Sequence, residues 1–207
     1  MKNKITIFIF ILLSWSMPGT AQNKTDIRGR FEQELKAKST EIHSIVCKFI
    51  QIRSISVLSE EVKKPGNCYY TQPNNILLAF DDGDYIKMAS NIFEMKNGSR
   101  ITKTKMSVNP MLRNMSAMIS ACMTGDLKKI TAGFSAEILQ NDKEYIMHLT
   151  PQHKAAAKIS CITLVFDRKD MSLSTLKMEE SSGDYTCYKF SEKHFNTTID
   201  TKLFNIQ

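Results

Sequence analysis

The stretch GNCYYTQPNNILLAF, residues 66–80, decides the fold. Apolar residues alternate with other residues on both sides of the dipeptide Gln72-Pro73, and this dipeptide is typical of a turn. Two alternating runs joined by a turn predict a pair of antiparallel strands, Asn67–Thr71 and Ile76–Phe80. We therefore expect the surrounding chain to consist mainly of antiparallel hairpins.

Similar alternating segments continue in both directions along the chain. Residues 42–57 are rich in Ile and Val, which favours a strand, although their spacing also fits a helix. Pro65-Gly66 is interpreted as a turn before the next strand. Further strands are predicted at Tyr85–Ala89, Ile92–Lys96, Arg100–Met106, Phe134–Gln140, Glu144–Leu149, Ala157–Asp167, Leu173–Glu180 and Tyr185–Phe195.

Two helical patterns interrupt the strands. Ile27, Phe31 and Leu35 recur every four residues among charges, which predicts an amphipathic helix over Thr25–Thr40. A second pattern in the middle of the chain has Asn109-Pro110 at its start and Gly125 at its end, and a short helical piece follows at 126–131.

The mid-chain helix carries a methionine-rich stripe. Methionine is flexible and polarizable, so such a surface can repack around ligands of variable shape. We interpret this helix as a lid, because a helix inserted between strands has to cross one face of the sheet; ordinary core packing is the alternative. The expected lid residues are Met111, Leu112, Met115, Met118 and Ile119.

The predicted fold class is mainly β, of the α+β type. We expect an unclosed, strongly bent antiparallel β-barrel with an N-terminal helix and a mid-chain helical lid. The interior of such a sheet is either filled by side chains or forms a cavity for a small ligand.

The first 21 residues have the order of a secretory signal peptide. Lys2 and Lys4 precede an apolar run, and small residues lead to Ala21, after which we expect cleavage. The apolar run is shorter than the roughly 20 residues of a membrane span. We therefore expect residues 22–207 to form a single, exported and soluble domain. The alternative is an uncleaved leader that tethers the protein to the membrane, since Trp15 and Pro18 make the leader slightly irregular.

The composition argues against several functions. Lys and Arg outnumber Asp and Glu by 28 to 21, a mild and dispersed excess that makes nucleic acid a poor partner. The cysteines and histidines lack metal-site spacing, and we find no G-x-S-x-G motif or phosphate-binding loop. We expect no catalytic residues, no metal site and no cofactor.

Cys47 and Cys68 lie on the first two predicted strands. If that hairpin closes near residues 58–61, the two cysteines face each other, because paired positions have a constant sum of residue numbers. We expect them to be neighbours on the inner face, where both would line the cavity. Either a disulfide or two buried thiols would satisfy this placement, and the strain of directly opposed pairs favours thiols.

An ordered set of motifs resembles the LolA family of outer-membrane lipoprotein carriers. The set is Phe49-x-Gln51, residues 66–74, Asn109-Pro110-Met111-Leu112, Tyr145 through Pro151, Gly183-x-Tyr185, Asn196, and Ile199-Asp200-x-x-Leu203-Phe204. One departure is Gln72. The family usually has Arg before this proline, and the resemblance implies that this arginine holds the lid and takes part in transfer, whereas Gln lacks a fixed charge.

The resemblance implies an exported protein of the periplasm. It would shield lipoprotein acyl chains, or another lipid, between an inner-membrane release machinery and an outer-membrane acceptor, and act as a monomer. A lipid-sensing regulatory or scaffold protein with the same fold is the alternative. The expected cavity residues are Phe49, Cys68, Tyr70, Ile76, Leu78, Phe80, Leu164 and Phe166.

Overall fold

The computed structural model describes residues 21–56, 60–108, 112, 116, 118–122, 125–153 and 158–206, and for residues 21–25 the backbone alone. Most of the predicted leader therefore lies outside the described residues, as do Asn109, Pro110, Met111 and Met115. The described helices are α1 Ala21–Ser39, a short helix Leu127–Ile130, and 3₁₀ turns at Met106–Val108 and Thr201–Phe204.

The described strands form one 11-stranded antiparallel sheet. They are β1 Ser44–Ser54, β2 Val62–Thr71, β3 Asn75–Phe80, β4 Tyr85–Ala89, β5 Ile92–Asn97, β6 Arg100–Lys105, β7 Phe134–Gln140, β8 Glu144–Pro151, β9 Ile159–Asp167, β10 Leu173–Glu180 and β11 Tyr185–Phe195.

The strand order decides where the lid has to run. From β1 the chain zigzags outward to β6 at one edge, continues at β7 on the opposite edge, and returns through β11 to pair with β1. The sheet is not closed, since β6 and β7 are not paired with each other. The chain between them must cross from one edge to the other, which confirms the expected fold class and the placement of the insert.

The sheet is strongly curved. In a flat sheet, Met88 on β4 and Leu176 on β10 would lie about 24 Å apart, because five strand spacings of about 4.8 Å separate their strands. Both side chains line the same small cavity. The concave face is therefore wrapped around its contents.

Helix α1 covers the concave face at β8 and β9. Phe31 and Leu35 are fully buried, and the Phe31 ring centroid lies 5.0 Å from that of Tyr145 and 5.2 Å from that of Phe166. Tyr145 also donates its hydroxyl to Glu34 at 3.0 Å. The apolar side of the predicted amphipathic helix thus faces the sheet.

Gly125 ends the crossing segment against α1. It has a φ of +68°, and the N–H of Asp126 donates to the carbonyl of Ala121 at 3.0 Å, which is the closing bond of a glycine-terminated helix. A Cβ atom at Gly125 would lie 2.9 Å from the carbonyl oxygen of Leu35, so only glycine allows this approach. The predicted helix end is confirmed.

The convex face is covered at β3 and β4 by the C-terminal segment, which the sequence patterns did not reveal. Phe204 is buried and belongs to a small apolar cluster with Leu77 and Ala89. Lys87 donates to the carbonyl oxygen of Asn205 at 2.6 Å. The segment is therefore attached to β3 and β4 by both apolar and polar contacts.

The prediction of a turn at Pro65-Gly66 is wrong, because both residues lie within β2. Pro65 lies opposite the position just beyond the end of β3, where its carbonyl accepts a hydrogen bond of 3.1 Å from the N–H of Asp81. The missing N–H of this proline therefore interrupts no hydrogen bond between β2 and β3. Gly66 is opposite Phe49 in β1. Its missing side chain makes room for that ring.

Replacing Gly66 with Ala should lower the free energy of unfolding by about 1–3 kcal/mol, because overpacking forces neighbours to shift. The new Cβ would lie 2.3 Å from the carbonyl oxygen of Ala79 and 2.8 Å from the Phe49 ring. Urea unfolding followed by circular dichroism measures the change.

Gly29→Ala is the matched control, since nothing lies within 4 Å of a Cβ on this residue of α1. Alanine is the better helix former, so this variant should gain about 0.5–1 kcal/mol. Equal stability of the Gly66 variant and the original protein would contradict the tight packing.

Candidate functional site

An apolar cavity of about 50 Å³ lies between the concave face of the sheet and the lid segment, by which we mean the described residues 112, 116 and 118–122. Strands β2, β3 and β4 form one wall, and β10 and β11 form the opposite wall. Ile119 of the lid segment closes the space between them. The two halves of the sheet therefore share one apolar site.

The residues predicted for the cavity fall into three groups. Cys68, Tyr70, Ile76 and Leu78 line it. Phe80 lines a second cavity at the end of the sheet. Phe49, Leu164 and Phe166 belong to the packed core.

The two packed phenylalanines contact aromatic rings of neighbouring elements. Phe166 meets Phe31 of α1 with its ring edge, while the Phe49 ring lies 5.1 Å from that of Phe80 and 6.1 Å from that of Tyr188. The alternation of apolar residues identified the concave face correctly, but it does not tell which part of that face is filled.

The described lid residues face the sheet. Leu112 and Met118 are buried, and Ile119 is half-buried at the cavity. Ser120 donates its hydroxyl to the carbonyl of Pro73 at 3.1 Å and to the side chain of Asn74 at 2.5 Å. The lid segment is thus attached to the β2–β3 turn.

Gln72 contacts the chain between α1 and β1. Its side-chain amide donates to the carbonyl of Ile42 at 2.9 Å, and its N–H donates to that of His43 at 3.0 Å. The side chain at the position of the family arginine therefore holds the connection between α1 and β1.

Sequence reasoning missed seven residues of the cavity. All of them belong to strands that were predicted but not assigned to the site, and the apolar alternation of those strands could have identified them. The missed residues are Ile86, Met88, Leu173, Leu176, Met178, Tyr188 and Phe190.

Two tyrosines bring polar atoms to the apolar cavity. Tyr70 is 1% exposed, and its hydroxyl has no hydrogen-bond partner among the described residues. Burial raises the pKa of Tyr70 to about 12. Tyr188, by contrast, accepts a hydrogen bond of 2.7 Å from the buried side chain of Gln51. Tyr70 thus offers a donor to whatever occupies the cavity.

Cys47 and Cys68 are directly opposite each other in the β1–β2 register, and both are buried. The prediction that they are neighbours is confirmed. Cys68 lines the cavity as predicted, whereas Cys47 belongs to the packed core and does not line it. Both are free thiols, which was the favoured alternative. Their hydrogen bond and burial raise the pKa of the Cys68 thiol.

The described part of the chain holds no cluster of three or more His, Cys, Asp or Glu side chains suited to a metal ion. Within the same residues, the helices fall short of the length and apolar character that a membrane-spanning helix needs.

The fold and the site define a class of open β-barrels, in which a curved antiparallel sheet and a helical crossing segment enclose an apolar cavity. The chain belongs to the LolA family. The family model described as outer membrane lipoprotein carrier protein LolA matches residues 26–207. None of the curated proteins compared with the chain matches it significantly.

The chain is similar to several solved structures at low sequence identity. A conserved protein from Thermus thermophilus is 8% identical with a TM-score of 0.51, over 90% of this chain and 95% of that chain. A LolA superfamily protein from Nitrosomonas europaea is 13% identical with a TM-score of 0.41, over 84% of this chain and 97% of that chain. The match to the Pseudomonas aeruginosa MucA/MucB complex has 9% sequence identity and a TM-score of 0.49, and it covers 86% of this chain and 60% of that chain.

Tyr70→Phe should leave the free energy of unfolding unchanged or raise it by up to about 1 kcal/mol, because it removes a buried hydroxyl without a partner. Tyr188→Phe should lower it by about 1–2 kcal/mol, because the buried Gln51 amide loses its acceptor. Chemical unfolding of the two variants in parallel gives the comparison. Equal losses would mean that the Tyr70 hydroxyl is paired in solution.

Proposed function

We propose that the protein is a periplasmic carrier that shields the acyl chains of lipoproteins during transfer to the outer membrane. The observation that carries this proposal is the apolar cavity beneath a crossing lid in a chain of the LolA family. Each CH₂ group that leaves water contributes about 0.8 kcal/mol, so long acyl chains need a protein escort through an aqueous space. Such a role requires binding and release without covalent chemistry.

The size of the cavity makes lid movement part of the proposal. About 50 Å³ is room for only a few water molecules, which is far less than a long acyl chain occupies. The lid segment must therefore move away from the sheet as a ligand enters. The contacts of Ser120 with the β2–β3 turn lie at the surface, where water can replace them when the lid opens.

Methionine side chains support adaptable binding. Met88 and Met178 line opposite walls of the cavity, and Met118 is a buried residue of the lid segment itself. Unbranched thioether side chains can change rotamers at low cost and so follow an acyl chain of varying path. We propose that they accommodate several lipoproteins rather than one.

A delivery role also requires partners. We propose that an inner-membrane release machinery loads the carrier, that an outer-membrane acceptor unloads it, and that the protein acts as a monomer. Its single domain would begin after the leader, at residue 22.

A second candidate is a lipid-sensing regulatory or scaffold protein with the same fold. The observation that favours it is Gln72, whose amide contacts Ile42 instead of carrying the charge of the family arginine toward the lid. A protein whose lid closure differs from that of the family could bind lipid without passing it on.

Native mass spectrometry of the protein purified from its own host separates the two candidates. The carrier proposal predicts that a lipoprotein, or its acylated peptide, is released from the protein in the gas phase. A sensor predicts a stoichiometric complex with another protein. Recovery of neither a lipidated species nor a partner would contradict both candidates.

The lid is tested by Ile119→Glu, which places a carboxylate at the apolar cavity. Affinity for a fluorescent fatty acid should fall by at least about tenfold, because a buried charge without a partner is costly. Fluorescence titration measures the affinity, and circular dichroism verifies the fold.

Leu139→Glu is the matched control for this change. Leu139 is an exposed apolar residue of edge strand β7 that does not line the cavity. This variant should bind as the original protein does. Unchanged binding by a folded Ile119→Glu variant would argue against a ligand beneath the lid.

A further inference from the structure

A second cavity of about 140 Å³ opens at the end of the sheet where β1 ends and β2 begins. Three basic side chains line it, namely Arg53, Lys64 and Lys96, together with the acidic Asp84. We call this cavity the cationic mouth. Its remaining lining is largely apolar.

The cationic mouth adjoins the apolar cavity beneath the lid. Ile86 lines both of them. Gln51 lines the mouth, while its hydrogen-bond partner Tyr188 lines the apolar cavity, so the 2.7 Å bond between them lies on the boundary. One amphipathic molecule could therefore extend from the apolar cavity past Ile86 into the mouth.

Arg53 is the available cation of the mouth. Lys64 forms ion pairs with Asp82 at 2.7 Å and Asp84 at 2.9 Å, and Lys96 donates to the carbonyl of Gly83 at 3.1 Å. Arg53 is exposed, and its guanidinium makes no hydrogen bond or ion pair with other residues that the structure describes.

Arg53 also points to the correct face. Successive side chains of a strand alternate between faces, so Arg53 lies on the same concave face as Gln51 and Phe49. The carboxylate of Asp184, at the same end of the sheet, accepts a hydrogen bond from the N–H of Ser56 at 2.7 Å.

We propose that the cationic mouth binds the anionic headgroup of a lipid, a carboxylate or a phosphate, whose tail lies in the apolar cavity, and that Arg53 is the headgroup ligand. This inference rests on the proposed function, because it assumes that the cavity takes acyl chains. A planar guanidinium matches the oxygens of either headgroup with paired donors.

The distances suit such a ligand. Cys47 stands opposite Cys68 of the apolar cavity, and the six residues from Cys47 to Arg53 span about 20 Å along β1. A bilayer core of about 30 Å contains two leaflets, so one lipid tail extends about 15 Å. A tail of this length that begins at Arg53 covers about three quarters of this distance and ends about 5 Å short of Cys68.

The experiment compares three amphiphiles with one tail: dodecanoate, dodecyl phosphate and dodecanol. Each displaces the neutral dye N-phenyl-1-naphthylamine from the full chain in fluorescence titrations at low salt. Arg53→Gln should weaken both anionic ligands by roughly fivefold, the worth of one exposed charge pair, and leave dodecanol unchanged. Added salt should reduce the difference.

Two variants test the location. Lys189→Gln removes an exposed charge from the convex side of β11, and Lys129→Gln removes one from a polar cleft beside Ser116 and Ser120 of the lid segment. Neither should change the affinities. A loss for Lys129→Gln in place of Arg53→Gln would overturn the proposal.

Equal weakening of dodecanol and the anions by Arg53→Gln, or no weakening at all, would likewise overturn it. If the original protein binds dodecanol but prefers neither anion, the headgroup site fails while the proposed function stands. If it binds none of the three amphiphiles, the proposed function itself fails. A selective loss for dodecanoate or for dodecyl phosphate alone identifies the headgroup as carboxylate or phosphate.

Discussion

One strand pair, β1 with β11, holds the two halves of this sheet together. Every other strand pair of the described sheet joins neighbours in sequence, whereas β1 and β11 pair from Ile45 with Phe195 to Ser54 with Tyr185. Because this pair lies in the middle of the sheet, the unpaired edges β6 and β7 lie at opposite ends. The crossing segment, the cavity beneath it and the contact of Gly125 with α1 all follow from that arrangement.

The concave side of β1 shows how one strand serves several environments. Phe49 is packed in the core, Gln51 lies on the boundary between two cavities, and Arg53 reaches the exposed mouth. The polarity of the inward residues therefore rises toward the end of the strand. A ligand along this strand would therefore contact a surface of graded polarity rather than a uniformly apolar one.

The sequence predicted the elements better than the site. Tyr85–Ala89, Leu173–Glu180 and Tyr185–Phe195 are strands with the predicted bounds, because alternation and turn residues are local signals. Which part of an inward face remains unfilled depends on where α1 lies, and this is a property of packing. Leu164 and Phe166 were therefore assigned to a cavity although they lie in the core.

The wrong turn at Pro65-Gly66 has a related cause. A proline followed by a glycine is a turn signal when it is considered alone, but at Gly66 the Phe49 ring of the neighbouring strand occupies the space that a side chain would need.

The long pairing between β1 and β11 affects the order in which the strands fold. The hairpins can form early, whereas β1 waits for nearly the whole chain, and such nonlocal pairing is slow. Until β11 arrives, β1 exposes an open edge beside an apolar face, and an exposed edge of this kind favours aggregation of the incomplete chain.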